Sequence, residues 1–218
     1  MFRVWNTRPR LSMLLVLGIA AVISGTGCAF MANMLHPGDM RTARFTGLEE
    51  KTVAVICVSS PSFYSQTTTS RQIAEAVESL LSQRVKEIKI IPQQKIDDWK
   101  DRVNWDSMDY REAGKGLKAD MVVAIDLASF EIQPNPGVFR GNAEYVVSVY
   151  DIKSKGKVVF QDTPRPIQFP ANGLVSTTSS EREFRSSFMN LLAHRIARNF
   201  YGYNGKDDLM LDETFVSG

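Results

Sequence analysis

Residues Met121 to Phe130 read Met-Val-Val-Ala-Ile-Asp-Leu-Ala-Ser-Phe. β-branched residues lead the run, and one charge interrupts it. It shows neither the alternation of a half-exposed strand nor the spacing of a helix. This pattern fits a long central strand. A second run, Thr52 to Val58 (Thr-Val-Ala-Val-Ile-Cys-Val), reads as a strand covered on both faces and ends in Ser59, Ser60 and Pro61.

Helical patterns fill the space between them. Thr69-Ser-Arg-Gln72 has the form of a capping box, a hydroxyl followed three residues later by Gln. It predicts a helix to about Val85 with Ile73, Val77, Leu80 and Leu81 on one stripe. Ile88, Ile90 and Ile91 predict a short strand stopped by Pro92, and residues 93–119 read as two helical pieces. The first carries Ile96 and Trp99; the second runs from about Ser107 to Leu117.

Beyond the central strand, Gln133-Pro-Asn-Pro-Gly137 predicts a turn. Ala143 to Tyr150 alternates around Tyr145, Val147 and Val149, and Lys153 to Gly156 turns that strand into Val158-Val-Phe160. Pro164, Pro166 and Pro170 forbid another central strand. Ser180-Glu-Arg-Glu183 is a second capping box. It opens a helix with Phe184, Phe188, Leu191, Leu192, Ile196 and Phe200 at helical spacing, and Gly202 is placed to stop it. The order β-α-β-α-α-β-β-β-α describes an α/β protein of the α+β kind. Helical crossovers early in the chain call for parallel neighbours and the later hairpins for antiparallel ones. The expected result is a single mixed sheet with helices packed mainly on one face.

The chain ends are different. Arg3, Arg8 and Arg10 precede an apolar run from Leu11 to Ile23, which is short for a membrane-spanning helix needing ~20 residues. Ser24, Gly25, Thr26 and Gly27 then lead to Cys28. This resembles a bacterial lipoprotein signal, with Thr26, Gly27 and Cys28 matching and Gly25 standing where Leu is usual. The resemblance implies removal of residues 1–27 and acylation of Cys28. Ordinary cleavage near Ala29 and a retained anchor are the other readings. Ala29 is not Asp, which in that family favours the outer membrane, facing the periplasm. Residues 28–50 read as a tether, 51–203 as one domain, and 204–218, with Asp207, Asp208, Asp212 and Glu213, as an acidic tail.

The charge argues against nucleic-acid binding. The chain has 26 basic and 24 acidic residues, but residues 1–27 hold three arginines and no acid, so the remainder carries −1. With Cys28 acylated, Cys57 stands alone and no internal disulfide forms; it reads as a small buried hydrophobe. His36 and His194 make no zinc spacing and no triad, so no metal and no cofactor is expected. Gly114-Lys-Gly116 lacks the spacing and the following hydroxyl of a phosphate loop and reads as a helix end. Asp126, inside an apolar strand, needs a partner; an acid/base role with Glu144 is the sharp reading, an ion pair or a solvent-reaching position the bland one. Phe139 and Arg140, and Phe63 and Tyr64, are aromatic and basic residues in polar loops and are candidate partner-binding residues. For Phe139, and likewise for Phe63 and Tyr64, the alternative is a place at the edge of the core. Arg182, Arg185, Arg195 and Arg198 read as the solvated face of the last helix and not as a polyanion site.

Two segments carry a wider resemblance. Gly116-Leu-Lys-Ala-Asp-Met-Val-Val123 and Tyr150-Asp-Ile-Lys153 with Gly156-Lys-Val-Val159 are similar to patterns in three groups of envelope proteins. These are the curli-secretion-channel lipoproteins, the lipoprotein activators of penicillin-binding proteins, and the amino-terminal domain of the Tol-system β-propeller protein. The resemblance spans about residues 50–203. It implies a non-enzymatic, protein-binding module. The curli channel builds its pore from two long hairpins, whereas one is legible here, near 141–163. The expected function is therefore a lipid-anchored accessory in envelope assembly or secretion, held at the membrane and binding another envelope protein. A subunit of an oligomeric secretion pore is the alternative, which leaves a homo-oligomer open. An envelope hydrolase is a second alternative.

Overall fold

The structure, a computed structural model, describes residues 39–59, 67–105, 109–135, 138–170 and 180–205. Cys28, Phe63, Tyr64 and most of the acidic tail lie outside the described residues. The elements are β1 (Met40–Arg41), β2 (Thr52–Ser59), α1 (Thr67–Arg84), β3 (Lys89–Ile91), α2 (Gln93–Val103), α3 (Tyr110–Leu117), β4 (Met121–Asn135), β5 (Val138–Asp151), β6 (Lys157–Asp162), β7 (Ile167–Phe169), α4 (Glu181–Ala197) and β8 (Tyr203–Asn204). The main sheet runs β3-β2-β4-β5-β6, with β7 beside the outer half of β5. β2 is parallel to β3 and β4, and the remaining pairs are antiparallel. This is the mixed sheet the sequence predicts; among the described residues it carries four helices, two against each face. β1 and β8 make a separate antiparallel pair.

The continuous apolar strands follow from burial on both faces. Val53, Val55 and Cys57 of β2, with Val123 and Ile125 of β4, face the larger core under the two long helices, α1 and α4. Ala54 and Ile56, with Val122 and Ala124, face a smaller core under the two short helices. The smaller residues on that side let α2 and α3 approach closely. Gly114 sits in α3 where a Cβ would lie 2.3 Å from Ile152.

At the outer end of the larger core, Phe188 of α4 lies 4.9 Å from Phe130 and 5.7 Å from Phe169, ring centroid to centroid. Gly141 makes room for it: a Cβ there would stand 2.6 Å from the Phe188 ring. The second capping box forms as read: the Ser180 hydroxyl accepts from the Glu183 amide, and the Glu183 carboxylate accepts from the Ser180 amide.

Several boundaries differ from expectation. α1 begins at Thr67, so Thr69 is buried within its first turn and does not cap it. α4 ends at Ala197 with Arg198 still right-handed, so Phe200 is core without being helical and Gly202 lies beyond the stop. The predicted turn at 133–137 is mostly strand: Gln133, Pro134 and Asn135 pair with Arg140, Phe139 and Val138. β2 ends at Ser59, opposite Leu127, so among the described residues the outer part of β4 is an edge, where a strand tolerates proline. The longest hairpin is therefore β4–β5, not the one near 141–163. Within residues 28–50, Leu48 is buried, and Phe45 packs 5.5 Å from Phe160.

Candidate functional site

On one face of the sheet α2 packs on β2 and α3 on β4. A row of aromatic rings crosses this face: Trp99 to Trp105 at 6.1 Å, Trp105 to Tyr110 at 6.1 Å, and Tyr110 to Tyr150 at 5.4 Å. Tyr150 is half-buried and stands directly opposite Val158 on β6.

Among the described residues β6 is the last strand of the sheet. Val149 pairs with Phe160 and Tyr150 with Val158, so Val159 is an extra residue in a β-bulge. Neighbouring residues of a regular strand point to opposite faces, yet Val158 and Val159 are 40% and 38% exposed. Two adjacent valines at an open sheet edge, beside a half-buried tyrosine, make an apolar surface of the type that receives another chain. The neighbouring turn is held in place. Lys153 pairs with Asp120 at 2.7 Å, and Asp120 also accepts from the Thr52 amide at 2.9 Å. The hydrogen bond from Lys153 and then that from Thr52 hold the Asp120 carboxyl below its usual range.

Asp126 lies on this face and accepts a hydrogen bond from the Tyr110 hydroxyl. Burial, then that bond, pushes the Tyr110 phenol up, so it keeps its proton and serves as donor. Glu144 is exposed, two positions along β5 from the Val146 that opposes Asp126. Asp126 thus has the partner its burial requires, a phenol and not an arginine.

A cleft of about 660 Å³ opens at the carboxyl end of β2, between the start of α1 and α2. Gln93 donates from one amide nitrogen to the Val55 carbonyl and to Glu78, each at 2.7 Å. Burial pushes the Glu78 carboxyl up to about 7. Lys100 stands 5.3 Å from the Trp105 ring centre, and burial lowers its amine. Burial also pushes the Cys57 thiol up to about 12. The Ser70 hydroxyl beside it has no hydrogen-bond partner of good geometry among the described residues, and its contact with the sulfur opposes that shift without overcoming burial. A thiol held protonated in this way is a poor nucleophile.

Of the other residues singled out by sequence, Phe139 is half-buried with its ring 5.5 Å from Phe184, and Arg140 beside it is exposed. Gly114 and Gly116 fall in the last turns of α3, followed by left-handed Lys118. Of the arginines read as one solvated helix face, Arg182 and Arg195 are exposed, Arg185 pairs with Glu181 at 3.2 Å, but Arg198 is buried and stacks 4.6 Å from the Tyr203 ring. The exposed valines of β6 carry no local sequence signal, because which strand ends the sheet is a matter of long-range pairing.

No family model matches this sequence, and no curated protein matches it. Among solved structures, the chain is similar to PelC from Paraburkholderia phytofirmans, crystallised as a dodecamer. The identity is 10%, with 74% of this chain and 96% of that one covered, at a TM-score of 0.47. It is similar to lipoprotein GNA1162 from Neisseria meningitidis, at 10% identity, 67% and 97% coverage and a TM-score of 0.45. It is also similar to the LpoB C-terminal domain from Salmonella enterica, at 11% identity, 56% and 84% coverage and a TM-score of 0.38. Similarity at this level assigns neither a family nor a role.

Proposed function

We propose that this chain is a lipid-anchored binding module of a bacterial cell envelope that acts by holding a partner protein and not by catalysis. The observation that carries the reading is the open β6 edge, where Val158 and Val159 are exposed next to Tyr150. The occupant is an apolar segment of another envelope protein, which lies along β6 and covers the two valines. Acylation of Cys28 holds the domain at the outer membrane, facing the periplasm. Confinement of this kind raises the effective concentration of a partner there without any new contact.

The reading is tested on native membranes. Chemical crosslinking followed by pull-down of the full chain is expected to recover a specific envelope protein, and Val158→Asp with Val159→Asp to lose it. Palmitate labelling is expected on the native chain and not on Cys28→Ala. Equal recovery with the double variant contradicts the surface; unchanged labelling contradicts the anchor.

A further inference from the structure

The cleft of about 660 Å³ owes its place to the path of the chain. From the end of β2 the chain enters α1, which packs in the larger core, and returns as β3. From the end of β3 it enters α2, which packs in the smaller core on the other face. β2 and β3 are parallel neighbours, so their outgoing connections diverge to opposite faces. Such a divergence opens a crevice beyond the carboxyl ends of the strands, which is where open α/β sheets hold small ligands. The lining draws on both connections: Cys57 and Ser59 of β2, Ser70 of α1, and Gln93 and Lys100 of α2.

The cleft is balanced in charge. Among the described residues its lining holds two cations, Arg71 and Lys100, and two carboxylates, Asp97 and Asp101. Arg71 pairs with Asp97 at 2.5 Å and with Glu75 at 2.9 Å, and both aspartates act on the Lys100 charge. No net charge is left to select an ion. What is left is hydrogen-bonding capacity. The Ser70 hydroxyl and the Trp105 indole nitrogen are buried, and neither has a hydrogen-bond partner of good geometry among the described residues. Ser70 meets the Cys57 sulfur, which is a weak acceptor. Buried donors in this condition are uncommon in native proteins and call for an acceptor from elsewhere. An indole N–H only donates and an ionised carboxylate only accepts, whereas a hydroxyl group does both.

We propose that this cleft binds an uncharged small molecule rich in hydroxyl groups, a neutral sugar. The volume is within the range of small-ligand sites, ~300–1,000 Å³. One sugar ring carries enough hydroxyls to accept from Ser70 and Trp105 and to donate to the aspartates. An acidic sugar meets the two carboxylates and an amino sugar the two cations, so a balanced lining favours neither. The cleft is at the β3–β2 side of the sheet and β6 is at the opposite end, so this assignment does not depend on the partner surface.

The test is saturation-transfer NMR on the full chain in a polyoxyethylene detergent, with affinities read by titration. The neutral probes are glucose, galactose, mannose and N-acetylglucosamine; the charged comparators are glucuronate and glucosamine. Ser70→Ala with Trp105→Phe removes both donors and keeps a helix former and an aromatic ring, and circular dichroism checks that the variant is folded. Asp101→Ala, on the exposed rim, is the second variant should the first not fold. Binding of at least one neutral sugar, tighter than either charged one and about tenfold weaker in the double variant or about threefold weaker in Asp101→Ala, supports the site. No binding of any neutral sugar, a charged sugar bound as tightly as the best neutral one, or an affinity unchanged in the folded variant overturns it.

Discussion

Tyr150 and Val158 face one another across the β5–β6 ladder, one half-buried against the smaller core and the other 40% exposed at the sheet edge. Because both valines of β6 are solvent-facing, Val158→Asp with Val159→Asp is expected to change unfolding free energy little, by about 0.5 kcal/mol per site or less. Urea denaturation checks this, and a large loss of stability would show that the edge is part of the core.

The Glu78 carboxyl, raised to about 7 by burial, gives stability a pH signature. A carboxyl whose folded value is raised binds its proton more tightly in the folded state. Its contribution is therefore full below the ordinary value near 4.5 and is lost as pH rises through 7. Water reaches part of the group, so the loss is expected to be about 1–2 kcal/mol, less than the full shift. Glu78→Gln is expected to remove this component. The measurement is urea unfolding of both chains at several values from pH 4.5 to 8.

Gly141→Ala places a methyl group against the Phe188 ring, which Phe130 and Phe169 hold from two directions. The ring has little room to yield, and the expected cost is about 1–3 kcal/mol. A lower urea midpoint with an unchanged slope is the predicted result.

Ser180→Ala removes one half of the reciprocal cap on α4. The expected cost is about 1 kcal/mol, read as a fall in the thermal midpoint. Ser180→Asp, which keeps an acceptor, is expected to restore most of it.

Cys57 is buried and its thiol is pushed up to about 12. Iodoacetamide at pH 8 is expected to leave it unmodified in the folded protein and to label it in urea, as followed by mass spectrometry of the peptide containing it.

The main elements were legible because local rules and tertiary packing agree in them. The apolar runs at 52–58 and 121–130 are strands because both faces are buried, and Ser180 with Glu183 caps α4 as its spacing predicts. Pro134 misleads because proline punctuates central strands, and only the pairing of β2 with β4 shows that, among the described residues, the outer half of β4 is an edge. Thr69 has the spacing of a cap but lies inside the helix, where its burial outweighs that local signal. The β6 edge depends on a bulge at Val159, and register of that kind is not written in local composition. Residues 41, 44, 165, 195 and 198 line one cleft although they come from segments far apart in the chain. Asp126 was readable as a residue needing a partner, but the partner, Tyr110, comes from a different element.

The central claim is that the β6 edge holds another envelope protein. The most direct measurement places a photo-crosslinking amino acid at Val158 and, in a second chain, at exposed Lys86, which lies away from β6 in the link between α1 and β3, each expressed in the native membrane. The account predicts a discrete adduct with one envelope protein from position 158 and none from position 86. No adduct at 158, or the same adducts from both positions, would contradict it.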